Sequence, residues 1–251
     1  MGACTAIWRL TTSPLWVTIG PKIETEIIEW PTGYRGCMQD LEDIRREYLS
    51  GGLRRKDLIA DPMEQFSQWL SFAIEHKAST DPTAMVLATV DAAGCPSQRI
   101  VLLKHADTNG FVFYTNLGSK KARDIAENDQ VCLHFGWLAF DRQVIIYGKA
   151  RKLPVTQAAQ YFMSRPKESQ IAAWTSHQSQ KVSSRALLQQ AFEQMKTRFA
   201  AGEVPLPSFW GGYVVEPSAI EFWQGGSSRM HDRFMYRKES DGRWTIERLQ
   251  P

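Results

Sequence analysis

The sequence predicts a mainly β fold with inserted helices (α+β), built as an antiparallel barrel. Three observations carry that prediction. Apolar residues alternate with a period of two in several short runs, first around residues 84–116 and again near the C-terminal end. Turns, rather than crossover helices, join most of these runs, so βαβ units are absent. Neither GxGxxG nor GxxxxGK(S/T) occurs, which disfavours the nucleotide folds built on those loops.

At 251 residues, 43% apolar and 23% charged, the chain suits one globular domain with appendages and can bury a large core. Residues 1–38 lack the charged start and apolar centre of a signal peptide and read as a poorly ordered extension, with Met38 an alternative start. Residues 39–251 form the single domain. No run approaches the ~18–20 apolar residues of a membrane span. Cys4, Cys37, Cys95 and Cys132 form no CxxC pair, and HExxH is absent, so neither a metal site nor a disulfide framework is expected. The chain reads as a reduced, cytoplasmic protein. A net charge of +3 suits small anions better than nucleic acid, which needs a concentrated basic face. The local cluster RREYLSGGLRRK reads as a solvated helix and loop.

Taken in order, residues 39–50 have helical spacing, stopped by Gly51-Gly52. A second helix starts with Asp61 as N-cap, Pro62 at N1 and Glu64 at N3, with Met63, Phe66, Trp69, Leu70 and Ile74 as its apolar face. AMVLATVD and QRIVLLKHA are strands around the turn AAGCP, and Asn109-Gly110 marks a hairpin leading into FVFYTN. Ser119 is the N-cap of a short helix. Strands QVCLHFGWL and RQVIIYGKARKL follow, then helices over 155–164 and 184–200, the latter striped by Leu188, Phe192, Met195 and Phe199. GGYVVEP, AIEFWQG, RMHDRFMYRK and RWTIERL close the chain as strands.

Several segments carry more polar chemistry than packing requires. In QRIVLLK, read as one strand, Arg99 and Lys104 end opposite faces; strand-end cations explain that equally well. Lys120 and Lys121 open a helix against its dipole with no local offset, which points to an external anion, the alternative being a solvated pair. Tyr161 and Arg165, four apart on a helix face, with Ser169 beyond Pro166, suit a phosphate. SHQS (176–179) reads by itself as a polar loop. In FWQGGSSRMHDRF, a strand reading puts Arg229, His231 and Arg233 on one face and Met230 and Asp232 on the other. Such a face tolerates its charges beside an anionic or electron-rich ligand.

These pieces, with EVPLPSFWGGY, appear in one order over about residues 42–251, and in that order they resemble the pyridoxine (pyridoxamine) 5′-phosphate oxidase family, flavin enzymes with a split barrel. The resemblance implies an FMN-binding split β-barrel and a homodimer with one FMN per subunit at the interface, residues 210–251 completing the barrel and dimer site. It implies oxidation of pyridoxine or pyridoxamine 5′-phosphate by dioxygen, as part of vitamin B6 metabolism. It implies FMN contacts from Arg99, Ile100, Val101, Leu102, Tyr114, Thr115, Lys120, Lys121, Gln143, Gln178, Ser179, Trp223 and Arg233. The substrate phosphate would meet Lys104, Tyr161, Arg165 and Ser169. Arg229 and His231 would be the catalytic pair at the pyridine side, with Met230 beside them, and Arg45 and Tyr48 would belong to a segment closing over the site. The family often has Arg where this chain has Lys120, which keeps the charge but loses the planar fork. A carrier that holds FMN or pyridoxal 5′-phosphate without turnover is the competing reading.

Overall fold

The computed structural model describes residues 47, 48, 51–176 and 178–251. Arg45, the extension 1–38 and most of the helix expected over 39–50 lie outside them; Glu47 and Tyr48 are not helical.

Nine strands make one antiparallel sheet among the described residues: β1 (Ala84–Val90), β2 (Pro96–Leu102), β3 (His105–Asp107), β4 (Gly110–Asn116), β5 (Gln130–Trp137), β6 (Arg142–Lys152), β7 (Trp210–Gln224), β8 (Asp232–Lys238) and β9 (Trp244–Leu249). The order is β2-β1-β5-β6-β7-β4-β3, with β8 also on β7 and β9 on β8. Five helices are inserted: α1 (Pro62–Glu75), α2 (Lys120–Glu127), α3 (Val155–Ser164), α4 (Lys167–Thr175) and α5 (Arg185–Arg198).

The α1 signals act as the sequence predicts. The Asp61 carboxylate accepts the Met63 N–H at 2.8 Å, and Pro62 needs no donor at N1. Phe66 and Trp69 are buried against Phe111, Phe135, Trp137 and Phe222 at the centre of the core, whereas Ile74 is half exposed. A smaller core of Phe162, Ile171, Phe199 and Trp210 sits under α3–α5. In the stripe expected on the last helix, Leu188 is exposed and Phe199 is buried.

Four strand expectations change. QRIVLLKHA is two strands, because Leu103 turns into the core and bonds Thr83 while Lys104 bonds Val112. The β3–β4 turn is Thr108-Asn109, held by the Asp107 carboxylate at 2.8 Å from the Asn109 N–H; Gly110 already pairs in the strand, where a Cβ would lie 2.1 Å from the Val215 oxygen. GGYVVEP and AIEFWQG are one strand, β7. Pro217 falls where the β6 register shifts, so its missing N–H costs no ladder bond. Finally, the chain from Ser227 to Arg229 is a 3₁₀ turn, and β8 begins only at Asp232.

That long β7 pairs with β6 along its length, with β4 by its first half and with β8 by its second. One strand therefore links the two regions where the polar chemistry collects.

Candidate active site

A cavity of about 970 Å³ opens between β2, the end of β4, α2 and α4. That volume is at the upper end for small-molecule sites. Arg99, Ile100, Val101, Leu102, Lys104, Tyr114, Thr115, Lys120, Lys121, Tyr161, Arg165, Ser169, Gln178 and Ser179 all line it. The alternation of β2 sets the wall: Arg99 and Val101 turn inward, while Gln98, Ile100 and Leu102 are exposed.

One end is cationic and built around the start of α2. The Lys121 ammonium is buried and donates to the Thr115 hydroxyl (3.1 Å), the Ser119 hydroxyl (3.3 Å) and the Gln178 side-chain oxygen (2.8 Å). No carboxylate among the described residues pairs with it. Burial, aided by the nearby Arg99 charge, lowers its pKa to about 8. Lys120 is different. It bonds Asp124 at 3.0 Å and lies 3.5 Å from Asp91, so its charge is offset locally, contrary to the expectation for the pair. Ser119 provides no side-chain cap. Instead the Ser179 hydroxyl accepts the Lys120 N–H at 3.1 Å, so the SHQS linker caps α2 from a distance of 59 positions in the chain. His177 of that linker lies outside the described residues.

The other end is aromatic and cationic. Tyr114, Tyr161 and Trp210 stack almost parallel, with Tyr114 centred 4.0 Å from Tyr161 and 5.3 Å from Trp210. Arg165 lies over the Trp210 ring at 5.3 Å. It is not on the Tyr161 helix: α3 ends at Ser164, and Arg165 is extended before Pro166, as a residue preceding proline prefers. Burial lowers its pKa, and its Nη1 is buried without a hydrogen-bond partner among the described residues. A buried guanidinium nitrogen left without an acceptor costs free energy. Exposed Lys104 and half-buried Ser169 line the same end.

Gln143, Trp223 and Arg233 do not line this cavity. They form a row across β6, β7 and β8 on the sheet face opposite the core. Arg233 is bidentate to the buried Glu221 (2.8 and 3.1 Å), and Gln143 meets His134 at 3.0 Å. Arg229, Met230 and His231 also lie away from it, and the shared strand face expected for Arg229, His231 and Arg233 does not form. Ser228 and Arg229 have φ of 53° and 61°, so the turn reverses before β8 starts. Gly226 permits that reversal: a Cβ there would lie 2.2 Å from the Met230 oxygen. Arg229 and Met230 are exposed. His231 packs on Trp223 (4.7 Å) and on Tyr48 (5.1 Å), and its Nδ1 accepts the Gly226 N–H at 3.2 Å. With Nδ1 so used, the neutral ring carries its proton on Nε2 and presents a donor. His231 and Met230 border a second hollow with Arg248 and the chain end.

Sequence reasoning missed Thr89, Ser97 and Asp124 behind Arg99, and Trp210 in the aromatic stack. The spacing of Lys120 and Asp124, one helical turn apart, was the available signal for the first group. Among the described residues no cluster of three His, Cys, Asp or Glu side chains could hold a metal, and no helix is long and apolar enough to cross a membrane.

Residues 72–199 match the family model described as pyridoxamine 5′-phosphate oxidase, and residues 210–251 match that of the pyridoxine 5′-phosphate oxidase C-terminal dimerisation region. Among curated proteins, the chain is similar to the pyridoxine/pyridoxamine 5′-phosphate oxidase of Hahella chejuensis, 64% identical over 84% of this chain and 99% of that one. The protein of that name from Pseudoalteromonas translucida is 58% identical over the same shares. Among solved structures, PhzG of Burkholderia lata in complex with tetrahydrophenazine-1-carboxylic acid is similar at a TM-score of 0.75 and 26% identity, over 80% of this chain and 99% of that one. A pyridoxamine 5′-phosphate oxidase-related, FMN-binding protein of Nostoc punctiforme shares the fold at a TM-score of 0.63 and 12% identity, over 76% and 98%.

Proposed function

This chain belongs to the pyridoxamine 5′-phosphate oxidase family, and we propose that it oxidises pyridoxine 5′-phosphate and pyridoxamine 5′-phosphate to pyridoxal 5′-phosphate with FMN and dioxygen. The observation that carries this reading is one cavity with two cationic ends, one at Lys121 and Arg99 and one at Arg165 and Lys104. Two phosphorylated molecules, a cofactor and a substrate, account for both ends; a single small anion would need only one.

The residues fit FMN. Lys121 is buried and has no carboxylate partner among the described residues, Thr115, Ser119 and Gln178 accept its hydrogen bonds, Ser179 lines the same cavity, and Arg99 stands beside it. With Lys120, this group holds the FMN phosphate. Tyr114 and the backbone of Ile100, Val101 and Leu102 flank the ring system. Bound FMN supplies acceptance of a hydride from substrate C4′ and reoxidation by dioxygen to hydrogen peroxide; the amine substrate also takes up water and releases ammonia.

Tyr161, Arg165, Lys104 and Ser169, which line one cavity, bind the substrate phosphate, with the two cations supplying the charge. Arg229 and His231 hold the pyridine side, with Met230 beside them. His231 does so as a donor through Nε2 rather than as a base, because its other nitrogen already accepts a backbone N–H. Tyr48 packs over His231, and Arg45, outside the described residues, belongs to the same closing segment.

Gln143, Trp223, Arg229, His231 and Arg233 reach the cavity of Lys121 and Arg165 only in a homodimer, where they serve that of the other subunit. Their separation from the cavity within one chain supports this, as does the match of residues 210–251 to a dimerisation region. Purified protein should show flavin absorption and form pyridoxal 5′-phosphate and peroxide aerobically. FMN-loaded protein that forms neither defeats the enzyme reading in favour of a carrier. Co-expressed Lys121→Met and Arg229→Ala chains, each nearly inactive alone, should regain about a quarter of full activity, since half the dimers then hold one intact site. No recovery would place all the residues in one chain.

A further inference from the structure

Behind Arg99 lies a closed polar network centred on Thr89 and Asp124, two residues that neither the sequence motifs nor the cavity wall includes. Asp124, on α2, is buried at 3% exposure. Its Oδ2 accepts the Thr89 hydroxyl at 2.7 Å and the Ser97 hydroxyl at 3.1 Å, and both oxygens accept from Lys120 at 3.0 and 3.1 Å. The Arg99 guanidinium then donates to those same hydroxyls: Nη1 to Thr89 at 2.8 Å and Nη2 to Ser97 at 2.7 Å. Nη1 also reaches the Leu87 carbonyl at 3.1 Å. Arg99 Nη2 stands 3.8 Å from Asp124.

The direction of every bond follows from one group. An ionised carboxylate only accepts. Thr89 and Ser97 must therefore point their protons at Asp124, which turns their lone pairs toward Arg99. A hydroxyl free to rotate would lose that orientation. Burial alone would raise the Asp124 carboxyl, but the hydrogen bonds from Thr89, Lys120 and Ser97 outweigh it and hold it below the usual carboxylate range, so it stays ionised. Three of the five guanidinium N–H groups are thereby fixed to the wall, and those on Nε and the second on Nη2 have no hydrogen-bond partner among the described residues.

We propose that Asp124 is a positioning residue for the phosphate-binding end of the cavity, acting through the Thr89 and Ser97 hydroxyls to hold Arg99, and through its own carboxylate to hold Lys120. The assignment rests on the flavin reading above and adds a residue to it. Its charge also sets the balance of the site. Asp124 offsets one of the three cations Arg99, Lys120 and Lys121, so the phosphate end stays attractive to an anion without leaving three like charges unopposed beside each other. Removing it strengthens the bare positive potential but frees both cations from their geometry. Geometry outweighs that gain in potential, because a displaced guanidinium forfeits its directed bonds to phosphate.

FMN and riboflavin differ only in the phosphate, so together they separate positioning from general damage. Each flavin is titrated into flavin-free protein by fluorescence quenching, using wild type, Asp124→Asn, Thr89→Val and Thr89→Ser. Asp124→Asn and Thr89→Val should weaken FMN about tenfold to hundredfold and leave riboflavin within about twofold, collapsing the preference for FMN. Thr89→Ser, which restores the hydroxyl, should bind FMN as wild type does. Equal weakening of both flavins by Asp124→Asn and Thr89→Val would show a merely structural role, and unchanged FMN binding would remove any role; either overturns the proposal. Wild-type protein that takes up neither flavin overturns the flavin reading itself, and the assignment of Asp124 with it. If Asp124→Asn does not fold, the Thr89→Val and Thr89→Ser pair decides between the same outcomes.

Discussion

The cavity around Lys121 and the turn around His231 are built in opposite ways. In the cavity, Arg99, Lys120 and Lys121 each hold several short hydrogen bonds. In the turn, Arg229 and Met230 are exposed, two consecutive non-glycine residues have positive φ, and only His231 is packed. The first region is preorganised within one chain, so its binding groups have already lost their freedom before a ligand arrives. The second holds two non-glycine residues in the left-handed region, which costs backbone strain. Both hang on the same strand: β7 brings Trp210 to the cavity with its first residue and Trp223 to the turn near its last.

Four measurements sharpen or break that contrast. The largest effect is expected from Lys121→Met, which removes a buried charge from the preorganised end. FMN affinity should fall by about 3 kcal/mol, roughly hundredfold, while the flavin-free protein melts at a higher temperature because an unpaired buried charge is gone. Unchanged affinity in a fluorescence titration would deny that this end binds the cofactor. Next, Arg229→Ala should lower kcat/KM by about 2 kcal/mol, near thirtyfold, and leave the flavin content of purified protein unchanged. Flavin loss in that variant would erase the distinction between the regions.

A third test uses pH. The folded pKa of Lys121, about 8, lies below its ordinary 10.5. Between those values the unfolded chain binds more protons than the folded one, so the stability of flavin-free protein should rise with pH across that window. FMN affinity should fall across the same window, by about tenfold at pH 9, as the ammonium deprotonates. Melting curves and titrations that move in the same direction would contradict the assignment. The smallest effect is expected at the turn. Ser228→Gly relieves a positive φ and should stabilise the fold by about 1 kcal/mol, without raising turnover; a loss of stability in a thermal melt would mean that the turn stores no strain.

Much of this architecture was legible in the sequence. Asp61-Pro62 placed the start of α1, alternation placed most strands, and the ordered motifs named fourteen residues that line one cavity. Where the sequence misled, it did so through local rules applied to residues governed by distant ones. Lys120 and Lys121 look alike at the start of α2, yet one is offset by Asp124 and Asp91 while the other is buried with no carboxylate partner among the described residues. Period two made a strand of RMHDRF, but Gly226, Ser228 and Arg229 turn the chain before the ladder starts.

By itself, then, the sequence determined the class of fold and the kinds of chemistry, because alternation, caps and charged motifs act over a few residues. Only the tertiary structure decided which groups share a space. It put Thr89, Ser97 and Asp124 behind Arg99 and let a linker 59 positions away cap α2. It also set Trp223 and His231 apart from the cavity around Lys121 within one chain. Those are long-range facts, since burial and hydrogen-bond geometry depend on which strands pair, and no local pattern encodes that.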